Sequence, residues 1–72
     1  MPLKIGEVQT QSGLSIKTIR YYETRGLVRS SDRTEGGFRL FDPDVVPRLA
    51  FIRQAQALGL SLEEIGELLA IY

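Results

Sequence analysis

The run GEVQTQSGLSIKTIRYYETRG, residues 6–26, decides the fold. Gly13 interrupts it, and apolar residues recur at helical spacing on either side, which reads as a short helix over 6–12 and a second over 16–25. Ser15 is a good N-cap for the second helix, because its hydroxyl can accept from a free amide of the first turn. Gly26 is a good stop, because glycine enters the left-handed region without a Cβ penalty. The connection Gly13-Leu14-Ser15 is short enough to force a sharp crossing, and Val8, Leu14 and Ile19 supply the apolar side chains that would pack it. Two helices joined in this way are a helix-turn-helix candidate.

Beyond that run, Leu27 and Val28 precede a polar stretch over 29–37, and Phe38-Arg39-Leu40-Phe41 then alternates as a strand does. The expectation is a two-stranded β-hairpin wing with a flexible glycine-rich tip. Asp42-Pro43 pairs an N-cap with proline at the first helical position, and Val45, Leu49 and Ile52 recur at helical spacing up to Leu58 and a Gly59 stop. Pro47 lies inside this third helix and lacks an amide proton, which predicts a distorted first turn. Ser61-Leu62-Glu63-Glu64 is a capping box. Leu62, Ile65, Leu68 and Leu69 then make a fourth amphipathic helix, whose end leaves Leu68, Leu69, Ile71 and Tyr72 as an exposed apolar patch. The expected fold class is mainly α, a winged helix-turn-helix of four helices and a small two-stranded hairpin, filling 1–72 as one domain.

Composition narrows the function. A chain of 72 residues with 43% hydrophobic and 25% charged residues is an ordinary globular protein with one core. It has no apolar run of membrane-spanning length, and Met1-Pro2-Leu3-Lys4 leads straight into patterned sequence without a secretory leader, so a cytoplasmic location is expected. Cysteine and histidine are both absent, which removes disulfides, thiolate nucleophiles, imidazole bases and nearly every transition-metal site. Glu63 and Glu67 are spaced as a carboxylate pair, but they open a helix whose dipole favours them there. Gly36-Gly37 lacks the lysine and following helix of a phosphate-cradling loop. No enzyme activity, metal or cofactor is expected.

The formal net charge is zero, yet the charges are uneven. Every basic residue falls at or before Arg53, and the segment up to that point carries nine basic against six acidic residues. That part of the chain can face phosphate. On the second helix, Lys17, Arg20, Tyr21 and Thr24 share one face while Ile19 and Tyr22 point away from it. In a helix-turn-helix that face would enter the major groove, where Lys and Arg donate to guanine edges or phosphates. The plain alternative is a solvated surface. In the wing, Arg33 and Arg39 flank the glycines and would lie against the sugar-phosphate backbone, or else be solvated hairpin arginines. Phe38 either covers the core or packs on that backbone. Arg48 and Arg53 project in different directions, so at most one of them serves a DNA surface.

The strings Lys4-Ile5-Gly6-Glu7, Thr18-Ile19-Arg20-Tyr21-Tyr22-Glu23, Gly26-Leu27 and Arg33-Thr34-Glu35-Gly36-Gly37-Phe38-Arg39-Leu40-Phe41 together resemble the MerR family of bacterial transcription regulators. So do Phe51-Ile52-Arg53-Gln54-Ala55 and Leu58-Gly59-Leu60-Ser61-Leu62-Glu63-Glu64-Ile65, in collinear order over essentially the whole chain. The resemblance implies a first wing from the hairpin and a second from the third and fourth helices. It implies a homodimer joined by a long helix that begins just after Tyr72, so that the dimer helix and sensor lie outside this chain. It also implies double-stranded promoter DNA as partner, which the dimer bends and untwists so that RNA polymerase engages it, without any membrane. Carried over by position, Lys17 and Arg20 match recognition-helix contacts, with Thr18 and Tyr21 in the same DNA-binding set. Tyr22 matches a residue that packs and reaches phosphate, Arg33, Phe38 and Arg39 match wing contacts, and Arg53 matches a second-wing phosphate contact. Gln56 departs from the pattern, standing where relatives often carry a basic residue, as does Pro47 in a helix usually unbroken. The alternatives from other classes are a standalone excisionase-like architectural module and a protein-interaction domain.

Overall fold

The computed structural model describes residues 1–71, and the chain runs β1 (Leu3–Lys4), α1 (Ile5–Ser12), α2 (Ile16–Thr24), β2 (Asp32–Arg33), β3 (Arg39–Phe41), α3 (Val45–Ala57) and α4 (Leu62–Ile71). The four helices and the wing are those expected, with boundaries shifted by one or two residues. The sheet is larger than the expected two-stranded hairpin. Its order is β1-β3-β2, antiparallel throughout, with Leu3 opposite Phe41 and Lys4 opposite Leu40 on one side of β3. On the other side Asp32 faces Leu40 and Arg33 faces Arg39. The added strand covers an edge of β3 that a bare hairpin would leave open.

Local chemistry sets the helix ends. The Lys4 amide donates to the Glu7 carboxylate at 2.9 Å, which starts α1 directly from β1. Ser15 Oγ accepts from the Thr18 amide at 3.1 Å and so caps α2. At the other end of α2, Gly26 takes φ +77°; its amide reaches the Glu23 carbonyl at 3.0 Å and the Leu27 amide reaches the Tyr22 carbonyl at 2.9 Å. These are the two bonds of a Schellman stop, and they turn the chain sharply enough to bury Leu27 and Val28.

Pro47 is accommodated without breaking α3, because it falls in the first turn, where amides lack intrahelical partners anyway. The Pro43 carbonyl takes the Val46 amide at 3.2 Å instead, and regular bonding resumes with the Arg48 amide on the Asp44 carbonyl at 3.2 Å. The expected distortion is therefore a tight entry turn. Asp42 contributes to it by accepting from the Asp44 amide at 3.1 Å.

One core serves all elements. Val8, Ile19, Phe41, Leu49, Ile52 and Ile65 are wholly buried, and Tyr22, Leu27, Val28, Val45, Ala55 and Leu69 join them. Helix α1 lies at the centre, since it packs on α2, α3 and the sheet, and α4 joins the core through α3. The expected apolar end is smaller than its sequence suggests: Leu69 is in the core, while Leu68 and Ile71 are exposed and Tyr72 lies outside the described residues. Among the described residues no helix is long and apolar enough to cross a membrane.

Two outcomes test this account. Phe41→Ala should remove about 3–5 kcal/mol, most of the stability of a chain this size, which urea denaturation will read as loss of a cooperative transition near room temperature. The capping box of α4 carries a pH dependence. The Ser61 amide donates to Glu64 at 2.9 Å and the Glu64 amide to Ser61 Oγ at 3.1 Å, and these bonds hold the Glu64 carboxyl below the usual glutamate range. A depressed carboxyl stabilises the fold above its ordinary pKa, and that contribution fades as pH falls through the lowered one. The gap in thermal midpoint between the parent and Glu64→Gln should therefore narrow as pH is lowered from neutral through the glutamate range, as followed by circular dichroism.

Candidate nucleic-acid interface

Helix α2 presents the expected face. Lys17, Arg20, Tyr21 and Thr24 are exposed, whereas Ile19 and Tyr22 are buried. Thr18 is half-buried and committed to the cap, its hydroxyl 2.9 Å from Ser15 Oγ. Thr24 donates its hydroxyl to the Arg20 carbonyl at 2.9 Å. The Tyr21 ring stands half-exposed with the Arg25 guanidinium 6.0 Å from its centroid, at the edge of cation–π range. Arg25 thus adds a cation to the C-terminal end of this face that the sequence reading did not single out.

Tyr22 is only 5% exposed, and its hydroxyl donates to Gln56 Oε1 on α3 at 2.6 Å. Its polar end is thus engaged inside the protein. Gln56, a departure from the resemblance pattern, has a structural role as acceptor of the Tyr22 hydroxyl, which a lysine or arginine would meet only as a donor.

The wing tip is a defined turn. The Gly37 amide reaches the Thr34 carbonyl at 2.9 Å, and the Thr34 amide reaches the Phe38 carbonyl at 2.8 Å. Gly37 supplies φ +83°, the left-handed position of a three-residue hairpin loop. Thr34 Oγ1 also accepts from the Phe38 amide at 3.1 Å, and Arg33 Nη1 donates to the Gly37 carbonyl at 3.3 Å. This turn pushes Phe38 outward to 72% exposure, which removes the core-cover reading for that ring.

Between the wing and the helices lies a groove of about 990 Å³, lined by Lys4, Glu7, Thr10 and Gln11 near α1, Arg20 on α2, and Arg33, Phe38 and Arg39 on the hairpin. Four cations converge on it against one lining carboxylate. Of the residues expected from sequence, the groove gathers Arg20, Arg33, Phe38 and Arg39, while Lys17 and Tyr21 extend the same side along α2. Arg53 lies apart on α3; it is exposed, and its guanidinium reaches within 3.9 Å of where a Cβ on Gly13 would be. It therefore borders the turn between α1 and α2. Arg48 is bound elsewhere, its Nε donating to the Leu27 carbonyl at 2.8 Å. Lys4 and Gln11 were missed, because only the pairing of β1 with β3 brings that end of the chain to the wing. Among the described residues no cluster of three or more acidic or other metal-ligating side chains could hold a metal ion.

The sequence profile of the family described as MerR HTH family regulatory protein matches residues 3–70. The mercuric resistance operon regulatory protein of Bacillus cereus is 44% identical over 71 residues, covering 99% of this chain and 54% of that protein. The HTH-type transcriptional regulator ZntR of Escherichia coli K12 is 48% identical over 68 residues, covering 94% of this chain and 48% of that protein. The chain thus spans about half the length of these curated relatives. Among solved structures, the chain aligns at a TM-score of 0.80 and 26% identity with HiNmlR, a MerR family regulator lacking the sensor domain and bound to promoter DNA, covering 97% of this chain and 56% of that one.

The engagement of Tyr22 generates a test. Tyr22→Phe should cost about 0.5–1.5 kcal/mol in urea denaturation, because one largely buried hydrogen bond is lost while Gln56 recovers water. It should leave duplex affinity unchanged at every salt concentration; a loss of affinity shared by selected and random duplexes would instead make the hydroxyl a phosphate contact.

Proposed function

The chain belongs to the MerR HTH family of regulatory proteins, and from that premise we propose that it reads double-stranded promoter DNA with α2 in the major groove and the hairpin wing on the neighbouring backbone. The observation that carries this reading is the convergence of Lys4, Arg20, Arg33 and Arg39 on one groove between the recognition helix and the wing. A concave basic surface of this kind suits a polyanion, because counterions released from the phosphates favour binding and clustered cations steer approach. The alignment with a promoter-bound relative supports the same assignment.

Within this reading, Arg20 and Lys17 reach base edges or the phosphates that flank them, because both are exposed and long enough to cross the groove floor. Thr18 and Tyr21 line the approach, and the inward ring of Tyr22 holds the helix at its working angle. Arg33 and Arg39 meet the backbone beside the wing, Phe38 lies against a sugar, and Arg53 meets a phosphate close to the turn between α1 and α2. The whole protein acts as a homodimer on a two-fold site and influences RNA polymerase by way of promoter shape. Two heads at a fixed spacing supply the energy, on the order of 1–6 kcal/mol, needed to bend a site of this size.

The assignment separates base reading from phosphate binding. With a duplex recovered by in vitro selection, Arg20→Ala should lower affinity by about 1–3 kcal/mol and relax preference at one base position. Arg33→Ala should weaken selected and random duplexes alike and reduce the slope of log K against log salt by about one. Fluorescence anisotropy over a salt series reads both. Parent-like binding by both variants would refute the interface.

A further inference from the structure

Besides Glu7, which lines the groove, a second carboxylate adjoins this basic surface. Glu23 on α2 contacts Arg39 Nη1 on β3 at 3.1 Å, with the glutamate side chain 17% exposed and the arginine 40%. The pair joins two elements that the DNA-reading assignment requires to act together. Glu23 is one helical turn from Arg20, so it lies beside the residue assigned to base reading. On the wing, Arg39 is directly opposite Arg33, an arrangement in which two unscreened guanidinium groups repel each other.

We infer that Glu23 is a positioning and specificity-determining residue: it fastens the wing to the recognition helix through Arg39 and withholds that arginine from the phosphates of arbitrary DNA. Ion pairs with a partner this exposed contribute little to folding stability, so the consequence of this one lies in recognition. Glu23 itself is mostly shielded from water, so salt screens its attraction for Arg39 less than it would that of a surface carboxylate. Neutralising one of two facing arginines relieves the cross-strand repulsion and lets the short β2–β3 ladder keep its register. It also lowers the positive field on the wing, where affinity is independent of sequence, while leaving Arg20 free on the helix, where affinity depends on it.

The inference rests on the DNA-reading assignment, and the experiment separates the two. Glu23→Gln keeps the size of the side chain and removes its charge. Glu35→Gln removes the same charge from the exposed wing turn, away from any ion pair, and serves as control. In the free protein, hydrogen exchange at the Thr34 and Ser31 amides, bonded across the hairpin to the Phe38 and Leu40 carbonyls, should quicken in Glu23→Gln and stay at the parent rate in the control. On DNA, Glu23→Gln should bind random duplex more tightly, with a salt slope steeper by about one and so about 4-fold more affinity lost between about 50 and 200 mM salt than in the parent. The preference for the selected duplex should narrow. A parent chain that binds no duplex overturns the DNA-reading assignment and this inference with it. A parent that binds, with Glu23→Gln matching it or matching the control in exchange and slope, overturns the inference alone. A loss of selected-duplex binding confined to one base position would also overturn it, because Glu23 would then be accepting from a cytosine amino group directly.

Discussion

Helix α2 is fastened to α3 by two polar contacts that bridge more than twenty residues of chain: the Tyr22 hydroxyl on Gln56 at 2.6 Å and the Arg48 guanidinium on the Leu27 carbonyl at 2.8 Å. A nine-residue helix has little stability of its own, because the cost of its first turn is spread over too few bonds. Ile19 and Tyr22 bury its inner face, but apolar packing is nearly non-directional and tolerates some rotation. The two hydrogen bonds remove that freedom, one in the last turn of the helix and one just past its end. The placement of the exposed face, the depth of the groove and the distance from Arg20 to the wing all follow from this attachment.

What was legible in the sequence is what is encoded locally. Ser15, Gly26, Gly59 and the Ser61–Glu64 box mark helix ends by chemistry that acts within four residues, and each acts where it was expected. The helical face of Lys17, Arg20, Tyr21 and Thr24 followed from periodicity alone. What escaped was non-local. Leu3–Lys4 is a strand only because Phe41 and Leu40 lie beside it, and two residues carry no alternation to read. Leu69 shares its helix with the exposed Leu68, so only the tertiary packing separates the buried leucine from the exposed one. The role of Gln56 depends on Tyr22, thirty-four positions away. Pro47 was a half-legible case: the missing amide was evident, but its harmlessness depended on where the helix begins.

The charge pattern explains how a chain of zero formal charge can present a basic site. Screening confines the field of an exposed charge to about 8–10 Å at physiological salt, so a groove responds to the groups that line it and hardly at all to those on α4. Glu63, Glu64 and Glu67 cancel the sum without cancelling the surface. Glu63 and Glu64 also belong where they are, in the first turn of α4, where unpaired amides favour negative charge.

The Schellman stop at Gly26 has a consequence that belongs to information more than to mechanics. By ending α2 after nine residues, it limits the helix to about 13 Å, the length of about four base-pair steps. Four pairs spell only about 250 different words, whereas a genome offers on the order of 10⁶–10⁹ places to bind. Under the proposed reading, a head of this length meets its word thousands of times over. The address of a single promoter has to be completed by a second word at a set distance, or by the stiffness and twist of the DNA between.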